Sequence, residues 1–147
     1  MKSRVIGLIR LSRYKEYFFF VIITTLLGVI AGNGEFGWRM VCVLAANWLS
    51  VGFAFMVNDI EDAADDALNP EKINRNPISA MHISKRLAWI ASFVVAGISA
   101  FLFALLGTWP FILGVLSLVV GLFYSWEPVR WKAKPLVDLL SHGMMLA

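Results

Sequence analysis

Polar positions cut this chain into long apolar stretches separated by short charged ones. Residues 17–34 carry no charge, nor do residues 40–57. Residues 87–126 form a third uncharged stretch, forty residues long. A helix needs about 20 apolar residues to cross a bilayer, so that stretch accommodates two helices joined by a tight turn. Gly107, Thr108, Trp109 and Pro110 supply the turn, because Gly and Pro interrupt helices and Trp favours the membrane–water interface. The pattern predicts spans over 17–34, 40–57, 87–106 and 110–126. A fifth apolar segment occupies 135–147, interrupted by Asp138 and His142. The expected fold class is all-α, a polytopic transmembrane helical bundle in one domain, with four complete spans and the start of a fifth.

Composition agrees with this pattern. The chain is 59% hydrophobic and 16% charged, with a mean hydropathy of +0.73. Soluble domains run nearer 45–50% apolar and about 25% charged. A disordered chain, a disulfide scaffold and a nucleic-acid-binding module are excluded. The single cysteine, Cys42, lies in an apolar run and reads as packing.

Charge sets an orientation. Lys2, Arg4, Arg10, Arg13 and Lys15 precede the first span. Lys72, Arg75, Lys85 and Arg86 lie between the second and third, and Arg130, Lys132 and Lys134 follow the fourth. Only Arg39 lies on the opposite side. Basic residues mark cytoplasmic loops, so an integral, multi-pass membrane protein is expected, its amino terminus and acidic connection cytoplasmic. The competing reading of the first span is a signal peptide, but its apolar run is longer than such peptides carry and three more spans follow.

Acidic residues concentrate in one connection. Asp59, Glu61, Asp62, Asp65, Asp66 and Glu71 are six of the ten acids. The string from Asn58 to Asp66 continues the second apolar run, so helix is predicted to extend through it. At about 100° per residue, Asn58, Asp59, Asp62, Asp65 and Asp66 share an arc of about 120°, with Glu61 just beyond its edge. Like charges at helical spacing repel. Two readings stay open on spacing alone: a solvated helix end neutralised by Lys72 and Arg75, or a site for a hard cation. Mg²⁺ takes oxygen ligands, often one or two carboxylates plus substrate phosphates.

Two basic segments flank this cluster. In the first, Asn69-Pro70 and Asn76-Pro77 break helix into loop, and Lys72 and Arg75 follow closely enough to fold back towards the acids. Cations beside a carboxylate-held metal suit a diphosphate, although ordinary loop charge accounts equally well for either residue. The second runs from Tyr124 to Pro135 and combines Arg130, Lys132 and Lys134 with Tyr124, Trp126 and Trp131. Its alternative is an interfacial anchor. Asp138 and His142 lie four apart, on one helical face, where ionisable groups inside a membrane are functional candidates; Asp138 also has Lys134 as a possible ion-pair partner.

These residues resemble the UbiA superfamily of intramembrane prenyltransferases. Asn58-Asp59-x-x-Asp62-x-x-x-Asp66 matches its first aspartate signature, between the second and third helices. Asn74-Arg75-Asn76-Pro77 is similar to its basic segment with one Asn inserted. Tyr124-Ser125 followed by Arg130-x-Lys132 is similar to the stretch after its fourth helix. The resemblance covers the whole chain. It implies Mg²⁺-dependent transfer of a prenyl group from a prenyl diphosphate to a lipophilic acceptor within the bilayer. Asn58, Asp59, Asp62 and Asp66 would then bind metal, with Asp59, Asp62 and Asp66 the catalytic set. Lys72, Arg75, Tyr124, Arg130 and Lys132 would contact the diphosphate. Asp65 is extra to the pattern, and Asp138 has no place in it.

The family's second signature, D-x-x-x-D, lies between its sixth and seventh helices and is not in this sequence; Asp138-x-x-x-His142 is a different motif elsewhere. The thirteen residues of 135–147 make about 20 Å of helix against a hydrocarbon core of about 30 Å, so the chain is expected to be about half an enzyme. The run Lys132 to Gly143 resembles the lycopene elongase-like branch more than the hydroxybenzoate branch. The rivals are a cation transporter or channel subunit, whose acids would line a path inside the bilayer, and a non-catalytic remnant.

Overall fold

The structure, a computed structural model, describes residues 2–146, with side chains from Arg4 to Leu140. It is built from helices: α1 (Lys2–Leu11), α2 (Tyr14–Ala31), α3 (Trp38–Ala67), α4 (Lys85–Leu106), α5 (Thr108–Ser125) and α6 (Pro135–Leu146), with a 3₁₀ turn at Trp131–Ala133. Four of them, α2 to α5, are long and apolar enough to cross a membrane. The chain is an integral membrane protein.

The local chemistry explains the breaks. Arg13 adopts a left-handed conformation, φ 47°, which separates α1 from α2. The α2 helix therefore starts at Tyr14, earlier than the uncharged run. Gly32, Asn33 and Gly34 close it, with the Gly34 amide donating to the Val29 carbonyl at 2.7 Å. Gly107 is the single residue between α4 and α5, at φ 121°. A side chain at that φ is strained, which is why a glycine occupies the turn. Pro110 falls in the first turn of α5, where its missing N–H costs no helical bond. Ser84 caps α4, its hydroxyl accepting from the Leu87 amide at 3.2 Å.

The central element is α3, which packs against α2, α4 and α5. Each of the three buried clusters takes residues from it: Met56 and Ile60, Ala46, and Phe53 with Val57. Inside the bundle, polar side chains bridge helices. Asn47 donates to the Thr25 hydroxyl at 2.9 Å, and the Ser99 hydroxyl donates to the Ala46 carbonyl at 2.8 Å. Such bonds hold helices together where no water competes. At 30 residues, α3 is about 45 Å long and exceeds the hydrocarbon thickness by about ten residues. Its last part, 58–67, is the acidic string, and it stays helical. The hydrophobic pattern showed nothing of α1. It ends in Leu11, fully buried among Met56, Ile60, Ile83 and Ala88, and leaves Val5, Ile6 and Ile9 exposed.

Candidate functional site

The site forms where the acidic end of α3 meets two loops. The α3–α4 loop is pinned under the helix end by Asn76. Its amide donates to the Asp59 carbonyl at 2.7 Å and to Asp66 Oδ2 at 3.0 Å, while its own Oδ1 accepts from the Ile78 amide. Asn76 is 1% exposed, so these bonds have no water in competition. Ser79 adds a hydroxyl bond to the Ala63 carbonyl at 2.6 Å. The second loop leaves α5 at Trp126, where ψ of 122° ends the helix, and passes through a left-handed Arg130 into the 3₁₀ turn.

This geometry splits the oxygen face of α3 in two. One half holds Asn58, Asp62 and Asp65. Lys132 Nζ lies 2.6 Å from each Asp62 oxygen and 2.9 Å from Asn58 Oδ1. The Ser125 hydroxyl donates to the same Asn58 oxygen at 3.0 Å. Arg130 reaches Asp65 Oδ2 at 3.2 Å and Asp62 Oδ1 at 3.6 Å. The other half holds Asp59 and Asp66. Arg13 lies 3.2 Å from Asp59 Oδ1 and stacks over Phe55, 5.0 Å from its ring centre. Lys72 approaches Asp66 at 3.9 Å.

The remaining candidates sit around this core. Arg75 is exposed and turns to Glu16, 3.2 Å away, which in turn pairs with Arg13. Arg75 therefore joins the face through two intermediaries. Tyr124, at the end of α5, donates its hydroxyl to Asp138 on α6. Asp138 thus meets the aromatic residue at the end of α5. The side chain of His142 lies outside the described residues. Glu61 faces away from the rest, towards α4 and the second loop, with Lys85 Nζ at 4.0 Å and the Glu127 amide at 3.3 Å.

Sequence reasoning gave no site role to Arg13, Glu16, Asn76 or Ser125. Arg13 and Asp59 are 46 residues apart, and no spacing rule links them. Asn76 carried a signal in its place before Pro77, where loop geometry turns its side chain inward.

The donor set suits a hard cation. Asn58, Asp62 and Asp66 offer oxygens on successive turns, and the Lys132 ammonium already stands between two of them. Among the described residues no three acidic, His or Cys side chains gather closely enough to hold a metal unaided. A Mg²⁺ ion commonly uses one or two carboxylates and completes its shell with phosphate oxygens and water.

Comparison with known proteins settles the lineage. The family model described as the UbiA prenyltransferase family matches residues 20–147. This chain belongs to the UbiA prenyltransferase family. It is 35% identical over 95 residues to a lycopene elongase/hydratase from Haloarcula japonica, a match covering 64% of this chain. The matched stretch spans about a third (31%) of that relative's length. No solved structure matches the chain. In this UbiA chain the acidic face of α3 is bordered by Lys132, Arg130, Lys72 and Arg13.

Proposed function

We propose that this chain provides the diphosphate-binding part of a membrane prenyltransferase, which transfers a prenyl group from its diphosphate to a lipophilic acceptor. The observation that carries this reading is the α3 oxygen face met by Lys132 and Arg130 from one loop and Lys72 from the other. Oxygen ligands and cations alternating at the mouth of an apolar bundle match a metal–diphosphate headgroup with a hydrocarbon tail.

Asn58, Asp59, Asp62 and Asp66 would hold Mg²⁺. When bound, the metal supplies charge stabilisation for the departing diphosphate. The chain's own residues do the rest. Lys132, Arg130 and Lys72 place positive charge where negative charge grows as the allylic C–O bond breaks. Tyr124 adds a hydroxyl beside them, oriented by Asp138, and Arg75 a further cation from the loop. Asp65, paired with Arg130, holds that guanidinium at the rim. The apolar bundle excludes water from the allylic cation. The basic amino terminus and loops support a cytoplasmic position for this end of the bundle.

The acceptor proposed first is a carotenoid of the lycopene type. The run 132–143 and the lycopene elongase/hydratase likeness support it. Quinone precursors and other lipophilic acceptors form the comparison set.

The deciding experiment is binding of a prenyl diphosphate with and without Mg²⁺. Asp62→Ala should weaken Mg²⁺-dependent binding by about 100-fold or more, since it removes a charged oxygen ligand from the proposed metal set. Unchanged affinity in that variant sinks the assignment. A transporter would instead show metal flux in proteoliposomes without any diphosphate.

A further inference from the structure

Lys132 caps the Asn58–Asp62 part of the oxygen face. Its ammonium contacts both Asp62 oxygens at 2.6 Å and Asn58 Oδ1 at 2.9 Å, and its side chain is 17% exposed. The ammonium stands in the place that a hard cation bound by these same oxygens has to enter. Two cations held by one carboxylate at that range repel strongly, so a metal arriving alone must first displace the lysine. A displaced ammonium finds new acceptors when an anion arrives with the metal.

We propose that Lys132 is a resident counter-ion that disfavours metal alone and yields Asn58 and Asp62 when a diphosphate takes over its ammonium. The inference rests on the diphosphate-site reading above and adds coupled binding to it: each ligand raises the affinity for the other. Arg130 is the internal comparison. It is 39% exposed, stands 3.6 Å from Asp62 and is shared with Asp65. Removing it changes the local charge equally without vacating the place between Asn58 and Asp62.

The test is calorimetric titration of the detergent-solubilised chain with Mg²⁺ alone, then with Mg²⁺ in the presence of inorganic pyrophosphate. Lys132→Gln should bind Mg²⁺ alone about tenfold more tightly than the wild type, the scale of a lost charge-assisted contact. Arg130→Gln, at an exposed position, should shift that affinity by less than about threefold. Pyrophosphate should strengthen wild-type Mg²⁺ binding and do so much less in Lys132→Gln. Lys132→Met serves the same comparison if the glutamine variant does not fold. No tightening in the lysine variant, or equal tightening in both variants, overturns the counter-ion role while leaving the site reading intact. A wild type that binds neither Mg²⁺ nor pyrophosphate overturns both.

Discussion

At the residue scale, the site depends on groups that neutralise and pin the acids as much as on the acids themselves. Asn76 shows this most plainly. It is buried, its amide satisfies a backbone carbonyl and a carboxylate of α3, and its carbonyl oxygen holds the turn at Ile78. Asn76→Ala leaves the Asp59 carbonyl without that bond in a dry place, which costs about 1–3 kcal/mol. A lowered unfolding midpoint in detergent checks this. Asn76→Asp should be worse, because it sets a second carboxylate beside Asp66 where an amide now donates. Arg13 belongs to the same scale: one guanidinium meets Asp59, Glu16 and the Phe55 ring. It connects a site on α3 to the start of the chain.

At the element scale, α3 decides the architecture. Its apolar length crosses the membrane and its last turns carry the acidic face beyond it, so one rigid rod links bundle packing to site geometry. The α4–α5 pair supports that rod through close approach. A Cβ built on Gly114 would overlap the Phe103 ring near its attachment, where the ring cannot swing clear. Gly114→Ala should therefore destabilise the bundle by about 1–3 kcal/mol through overpacking, measured by thermal unfolding in detergent. Gly28 meets nothing within 4 Å, and Gly28→Ala is the matched control, expected to leave the midpoint unchanged. The apolar runs made α2 to α5 legible because burial in lipid demands a long uncharged helix. They did not show α1, whose mixed sequence alternates bases with Val5, Ile6 and Ile9 and makes sense only against the groove that receives Leu11.

At the scale of the whole molecule, charge asymmetry argues for the acidic end facing the cytoplasm. The single cysteine makes this easy to test. In a Cys42→Ala background, Gly34→Cys lies in the α2–α3 turn and Asn69→Cys in the loop after α3. An impermeant thiol reagent added to intact cells should label the first and spare the second; the reverse pattern inverts the orientation. The exposed apolar surface of α2, α4 and α5, from Phe19 to Phe101 and Leu113, is the surface a bilayer solvates.

The sequence by itself determined that the chain is a helical membrane protein, that its acids cluster at one helix end, and which signature they spell. Hydrophobic length and helical periodicity are local properties, readable without a fold. Only the tertiary structure decided how the acids are shared out. Asp62 and Asn58 went to Lys132, Asp59 to Arg13, Asp66 to Asn76 and Lys72, and Arg75 was drawn off to Glu16. Those partners lie 6 to 74 residues away along the chain, and no periodicity spans that range. They are chosen by which loop a Pro, a cap or a left-handed residue turns back on the helix, and by the need of a poorly hydrated carboxylate for a partner.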